Sequence, residues 1–272
     1  MGGNNKMSKK AQGIIWILVA IVAIALIGVV SFFAYKSYTS DVTHPEVTFE
    51  FDNYGEVKLK LYPEYAPNTV SNFLYLASNG YYNDKVVYGK DEVGLYIGRN
   101  ESGEVSDVKK SYYDKSVSEG SDGDFTTSIF GEFFANGFNA NTLSHNKYVV
   151  SMGRENYSTL SSNLADEGYN SASSQFVILE NEAKSLNGMY AAFAEVVDWK
   201  EAIDKLYERP VQENTEENSS SNSSGDDIQK FSSFKKITNV KVETYGIDYG
   251  TPVVQEKFDY QAYMQLCRYR AV

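Results

Sequence analysis

The chain has 272 residues, a single cysteine, two widely separated histidines and a formal net charge of −11. One cysteine excludes an internal disulfide framework and a zinc site built from cysteines, and two distant histidines argue against a histidine metal centre or a Ser-His-Asp triad. The acidic balance argues against a nucleic-acid partner, because a negative surface repels phosphate backbones. We therefore expect no metal, no cofactor and no nucleic acid.

The N-terminal segment contains an apolar run from residue 14 to residue 34 without a single charge. At about 1.5 Å per residue this run crosses a hydrocarbon core of roughly 30 Å, so the sequence predicts a transmembrane helix over residues 13–35. A cleaved signal peptide is the alternative, but it requires a shorter apolar region and a small-residue cleavage site. Three lysines precede the run and one follows it closely. This bias predicts that residues 1–12 are cytoplasmic and that everything after the span is extracytoplasmic.

A polar spacer at residues 36–45 is followed by two short segments in which apolar and polar residues alternate. The segments lie on either side of an Asp-Asn-Tyr-Gly turn, and the alternation predicts a β-hairpin. Its inner face would carry Val57, Leu59 and Leu61. This hairpin would open a domain that we place at residues 46–250.

A helix is predicted directly after the hairpin. Pro67 suits the first helical position, and apolar residues spaced three and four apart follow it. Those residues are Val70, Phe73, Leu74 and Ala77. The helix should end at the Asn79-Gly80 pair.

After the first helix the sequence predicts a polar loop and, later in the domain, a second helix. Residues 101–125 are polar and predict a surface loop. A helix is expected at about 198–208, with Asp198 as its N-cap and a buried stripe formed by its apolar residues. That stripe comprises Ala202, Ile203 and Leu206.

The C-terminal part begins with a segment that has almost no apolar side chains. Residues 211–229 contain five acids and five serines, so we expect them to be disordered. Residues 237–244 return to strand alternation. The tail, residues 251–272, either forms a helix with one aromatic side or packs on the domain. Many short strands with only two helical patterns favour a closed β-barrel.

Three segments follow one another along the chain: Leu61 to Tyr82, Asn141 to Met152, and the group formed by Ser174-Gln175-Phe176-Val177-Ile178, Leu186-Asn187-Gly188 and Phe193 to Val197. In this order they resemble the cyclophilin family of peptidyl-prolyl isomerases. The resemblance implies a mainly β fold, namely a closed eight-stranded antiparallel barrel capped by two helices. It covers residues 46–210 and 236–246, with residues 101–125 as an insertion. His145 lies in the second segment, so its expected role is structural.

The resemblance also implies where catalysis would take place. In the family, an arginine on the strand after the first helix supplies the key donor, and that position falls on Gly89 or Lys90 here. Lys90 keeps the positive charge without the planar fork of arginine. Arg99 and Arg154 are other nearby candidates, and for each of these three cations the alternative interpretation is an ordinary surface charge.

Gln175 matches the family glutamine that hydrogen-bonds the substrate backbone, with a satisfied amide at the barrel rim as its alternative role. Gln175 and Lys90 are the two predicted catalytic residues. The resemblance assigns substrate binding to Leu95, Tyr96, Met152, Gly153, Arg154, Phe176, Val177, Leu186 and Tyr190.

Two hypotheses of function follow. The first is a membrane-anchored, extracytoplasmic prolyl isomerase that acts on proline-containing polypeptides and assists their folding. The second is a catalytically degenerate domain of the same fold that binds peptide or protein without turnover, motivated by the changed arginine position. A surface adhesin is a third possibility, supported only by the acidic composition and many tyrosines.

Overall fold

A computed structural model describes residues 44–157, 161–212 and 228–270 of the chain. The predicted transmembrane helix at residues 13–35 and the acidic residues 213–227 lie outside this range. In the part of the chain that is described, no helix has both the length and the apolar character needed to cross a bilayer.

Eight strands form a closed antiparallel barrel, which confirms the predicted eight-stranded barrel. The barrel strands are β1 (Glu46–Phe51), β2 (Gly55–Leu61), β3 (Val86–Lys90), β4 (Gly94–Arg99), β6 (Val149–Met152), β7 (Phe176–Leu179), β8 (Ala192–Asp198) and β9 (Gln229–Glu243). They pair in the order β1-β2-β8-β6-β7-β4-β3-β9, and β9 pairs back onto β1. Two further strands, β5 (Thr127–Ser128) and β10 (Gln255–Glu256), pair outside the barrel.

The predicted hairpin is β1 and β2, with Phe49 opposite Val57. Val57, Leu59 and Leu61 are fully buried, as alternation requires of the inner face of a barrel. The strand expected to close the sheet does so, since Val240 on β9 lies opposite Phe49. This strand starts earlier than the predicted residue 237, so the end of the segment expected to be disordered belongs to ordered structure.

The first helix, α1 (Pro67–Ser78), begins and ends where the sequence predicts. Its apolar face covers one end of the barrel, and the Phe73 ring lies 4.9 Å from that of Phe193 and 5.3 Å from that of Phe176. The N-terminus of α1 is capped from a distance by Glu132, which accepts hydrogen bonds from the backbone N–H groups of Asn68 and Thr69 at 2.9 and 2.7 Å.

The second predicted helix is α4 (Lys200–Tyr207), which buries Ala202, Ile203 and Leu206 as expected. The predicted cap at Asp198 is wrong. The N-cap is Trp199, which takes a left-handed conformation at φ +56°. Asp198 still belongs to β8, and its carboxylate accepts a hydrogen bond from the Trp199 N–H. The N-cap of α4 thus lies one residue after Asp198, the position that the sequence predicted.

The described part of the chain has three more α-helices, α2 (Lys110–Tyr113), α3 (Ala165–Tyr169) and α5 (Tyr260–Arg270). Helix α2 lies in the predicted surface loop, but Val108 and Tyr113 of that loop are buried. The Tyr113 hydroxyl donates to Asn72 Oδ1 on α1 at 2.8 Å. The loop is therefore packed against α1.

Candidate functional site

The outward side chains of β4 and β7 line a cleft of about 250 Å³ on the barrel surface. Tyr96 and Val177 lie opposite each other in the antiparallel pair. Because neighbouring residues on a strand point to opposite faces, Ile97 and Phe176 beside them pack into the barrel core. The sheet thus separates a packed interior from an open binding surface.

One end of the cleft is an apolar hollow. Val93, Tyr96, Val177 and Leu186 line it, and all four belong to a small hydrophobic cluster separate from the main core. Such a hollow can hold a compact apolar ring and exclude water from it.

Asp91 fixes the shape of this hollow at the β3–β4 turn. One carboxylate oxygen accepts from the Val93 and Gly94 N–H groups at 2.8 and 3.0 Å, and the other accepts from the Tyr96 hydroxyl at 2.7 Å. Gly94 allows β4 and β7 to approach closely, because a Cβ atom there would lie 2.2 Å from the Ile178 carbonyl oxygen. The hydrogen bond to Asp91 in the turn therefore fixes the position of the Tyr96 side chain, which forms one side of the hollow.

The polar end of the cleft is built around Arg99 and Gln175. Arg99 Nε donates to Gln175 Oε1 at 3.1 Å, and Nη1 donates to the Gly103 carbonyl at 3.3 Å. The guanidinium carbon lies 4.0 Å from the centre of the buried Tyr88 ring. None of the carboxylates in the described residues forms an ion pair with Arg99. The cleft therefore combines an apolar hollow with a cation whose donors are not all engaged.

The sequence matches a known protein family over most of the described domain. The family model described as "Cyclophilin type peptidyl-prolyl cis-trans isomerase/CLD" matches residues 46–230. The chain belongs to the cyclophilin family of peptidyl-prolyl isomerases.

Several curated cyclophilins are similar to this one. "Peptidyl-prolyl cis-trans isomerase-like 3" of Gallus gallus is 30% identical over 161 residues, which cover 59% of this chain and 81% of the relative. The human protein of the same name is 29% identical over 162 residues, with the same coverage. "Peptidyl-prolyl cis-trans isomerase-like 2" of Rhizopus delemar is 28% identical over 179 residues, covering 65% of this chain and 26% of the relative.

Solved structures support the fold. A cyclophilin-type isomerase from Cryptosporidium parvum superposes with a TM-score of 0.50 at 18% sequence identity, covering 74% of this chain and 98% of that one. At this identity the likeness concerns the fold alone.

Most of the predicted site residues come together in this cyclophilin. Those that line the cleft are Tyr96, Met152, Gly153, Arg154, Gln175, Phe176, Val177, Leu186 and Tyr190. The Gly153 N–H donates to the Gln175 carbonyl at 2.8 Å, and this bond joins the residue after β6 to the residue before β7.

Lys90 does not line the cleft, which corrects its predicted place at the catalytic position. Its Nζ donates to the Tyr207 carbonyl at 2.5 Å and lies 4.8 Å from the centre of the Tyr207 ring. The cause is an irregularity in β3, whose register shifts between Val87 and Gly89 against both neighbouring strands. The shift makes Tyr88, rather than a cation, the residue that β3 contributes to the cleft.

Leu95 is also absent from the cleft. It is fully buried in the barrel core, because it precedes the outward-facing Tyr96 on the same strand.

Arg154 also lines the cleft and is held by local contacts. Its Nε donates to the Met189 carbonyl at 3.1 Å and Nη1 donates to the Glu155 carbonyl at 3.0 Å. The guanidinium carbon lies 4.2 Å from the centre of the Tyr190 ring. The protein thus holds Arg154 and Tyr190 together as one wall.

His145 has the expected structural role. Asn187 Oδ1 can only accept, so the ring Nδ1 donates to it at 3.0 Å and Nε2 accepts from the Ser151 hydroxyl at 3.0 Å. Burial lowers the pKa of the imidazole. The neutral ring ties β6 to the loop that carries Leu186.

Sequence reasoning missed several cleft residues. Tyr88, Asp91 and Val93 belong to β3 and its turn, while Asp107 and Lys257 come from the 101–125 loop and the C-terminal tail. The Asp-Glu-Val-Gly turn was a detectable signal for Asp91. Nothing in the local sequence indicates that Lys257 reaches the cleft.

Proposed function

We propose that this cyclophilin isomerises Xaa-Pro bonds of extracytoplasmic polypeptides, with Arg99 as the donor of the cleft. The observation that carries the proposal is the Arg99–Gln175 contact beside the hollow formed by Val93, Tyr96, Val177 and Leu186. The substrate proline would occupy the hollow.

The chemistry requires no nucleophile and no metal. Rotation about the Xaa-Pro bond is slow because it disrupts amide resonance, with a barrier of about 18–20 kcal/mol. A donor that stabilises the less conjugated proline nitrogen, or that anchors the neighbouring carbonyl, lowers this barrier. Arg99 has five N–H donors, and its hydrogen bonds to other described residues engage only Nε and Nη1.

Gln175 has a defined role in this proposal. Its Oε1 accepts from Arg99, so its Nε2 is the group that donates to a substrate carbonyl. The substrate-binding role of the other cleft residues is part of the same proposal. Tyr96, Val177 and Leu186 would contact the ring, whereas Gly153 and Arg154 would lie along the residues that precede it.

The extracytoplasmic location and the membrane anchor rest on the sequence. The uncharged run at residues 14–34 and the lysines before it support an anchor with the catalytic domain outside. Slow prolines in secreted polypeptides are then the proposed substrates.

A test compares turnover and binding in the full chain, solubilised in detergent. Exchange spectroscopy by NMR on Xaa-Pro peptides measures catalysis, and peptide titration measures affinity. We expect Arg99→Ala to lower kcat/KM by about 10²-fold, as loss of one preorganised donor does elsewhere. Lys241→Ala, a charge removal at an exposed β9 position, is the matched control and should leave kcat/KM unchanged.

A second candidate function is peptide binding without turnover. It is favoured by one observation, that β3 contributes Tyr88 rather than a cation to the cleft. Wild-type protein that binds Xaa-Pro peptides but shows no exchange above the uncatalysed rate would select this alternative. A large loss in Arg154→Ala together with none in Arg99→Ala would instead move the donor role to Arg154.

A further inference from the structure

The C-terminal tail lies against the domain through backbone hydrogen bonds. Asn68 Nδ2 donates to the Val253 carbonyl at 2.9 Å, and the Val253 N–H donates back to Asn68 Oδ1 at 2.8 Å. Strand β10 then pairs with β5, and the Lys257 N–H donates to the Thr126 carbonyl at 2.8 Å. These bonds fix the course of the tail up to the edge of the cleft.

Aromatic contacts hold the tail on the far side of Lys257. The Tyr260 ring stacks on Tyr157 at 5.6 Å with an interplanar angle of 13°, and Phe258 meets the same ring edge-on at 5.6 Å. Tyr157 lies two residues after the cleft residue Glu155 in the chain. The backbone at Lys257 is therefore held on both sides.

Lys257 itself lines the cleft, although it lies outside residues 46–230, which the family model matches. Its Nζ lies 3.6 Å from Glu155 Oε1, and the side chain is only 16% exposed. Within the described residues, Nζ makes no hydrogen bond. An ammonium group has three donors, and one that is largely removed from water gains from each further oxygen it meets.

We infer that the C-terminal tail is part of the peptide-binding site, and that Lys257 donates to an oxygen acceptor of the bound peptide. This inference rests on the proposal that the cleft binds proline-containing peptides. Lys257 is thus a specificity-determining residue supplied from outside the matched region.

The acceptor has two possible sources, a backbone carbonyl or an acidic side chain next to the proline. Asp107 and Glu155 are the carboxylates on the same part of the cleft lining. Glu155 is already near Lys257, and Asp107 is exposed to solvent. Neither carboxylate occupies all three donors of the Lys257 ammonium group, so donors remain for the peptide.

The experiment uses the full chain in detergent with fluorescently labelled Xaa-Pro peptides. Glu and Gln are placed in turn at each position that flanks the proline, and affinity is measured by fluorescence polarisation. Lys257→Met keeps the aliphatic stem, whereas Lys257→Arg keeps the charge. Lys241→Met removes the same charge from β9 outside the cleft lining and serves as the matched control.

We expect Lys257→Met to weaken binding about fivefold, while Lys257→Arg and Lys241→Met stay near wild type. Loss for every peptide supports a backbone carbonyl acceptor, and loss confined to Glu at one position supports an acidic side chain. Thermal unfolding midpoints verify that the variants are folded, since the Lys257 backbone bond survives the substitution.

Two results would overturn the inference and are separable from failure of the proposed function. Unchanged affinity in Lys257→Met, with binding and turnover intact in wild type, would overturn this inference alone. Absence of peptide binding to wild type would overturn both. Absence of turnover with binding retained would contradict the isomerase proposal and leave the role of Lys257 standing.

Discussion

The guanidinium carbon of Arg99, on β4, lies 4.0 Å from the centre of the Tyr88 ring, on the neighbouring strand β3. The Tyr88 ring packs against the Arg99 guanidinium, and Gln175 Oε1 accepts a hydrogen bond from Arg99 Nε. The cation of the cleft is therefore supplied by β4 and supported by an aromatic residue of β3.

The first prediction concerns this support. Tyr88→Ala removes the ring, so we expect the guanidinium to lose a cation–π contact of about 1 kcal/mol and kcat/KM to fall about fivefold. Exchange spectroscopy on an Xaa-Pro peptide measures the effect. Tyr88→Phe keeps the ring and should stay within about twofold of wild type. Equal losses in both variants would show that the hydroxyl, and not the ring, matters.

The second prediction concerns the cap of α1. Glu132 is only 3% exposed, and besides two backbone N–H groups it accepts from the Thr69 hydroxyl at 2.6 Å. Glu132→Gln removes the charge facing these donors and the helix N-terminus, so we expect the free energy of unfolding to fall by about 2 kcal/mol. Urea denaturation measures it. Glu182→Gln at an exposed position should change stability by less than about 0.5 kcal/mol.

The third prediction concerns pH. Burial lowers the pKa of His145, so below the unfolded value of about 6.5 the unfolded chain binds more protons than the folded one. The contribution of His145 to stability is thus fully present above that pH, and is lost as pH falls through the folded pKa.

NMR titration of the imidazole signals measures this directly, with assignment by loss of the peaks in His145→Gln. Stability curves for the two proteins should converge as the pH is lowered. A His145 signal that titrates above about pH 6.5 would contradict the structural explanation.

The fourth prediction concerns topology. Cys267 is the only cysteine of the chain and is exposed on α5. If the domain lies outside the membrane, a thiol reagent that cannot cross bilayers should label Cys267 in intact cells that express the protein. Cys267→Ser provides the background signal. Labelling that appears only after the cells are permeabilised would refute the proposed orientation.

The elements that were predictable from sequence are those determined by local periodicity. The β1–β2 hairpin follows from alternation, and α1 follows from Pro67 and the spacing of its apolar residues. The barrel itself was predictable because short alternating strands recur along the chain. Most of the pocket could also be located, since Gln175, Val177 and Leu186 lie in segments that resemble the family.

The remaining features depend on contacts that local patterns do not encode. Counting back from Gly94 assumes a regular β3, and the register shift at Tyr88 breaks that assumption. Lys90 was misplaced for this reason. Lys257 reaches the cleft only because the tail pairs with β5, a contact between distant parts of the chain.

Gly94 limits how this site can change during evolution. Any side chain at that position would collide with the backbone of Ile178, so the spacing between β4 and β7 is not adjustable. Substitutions at Val93, Val177 or Leu186 can enlarge or reduce the hollow without moving a strand. Homologues with altered ligand preference should therefore vary at these three side chains while keeping the glycine.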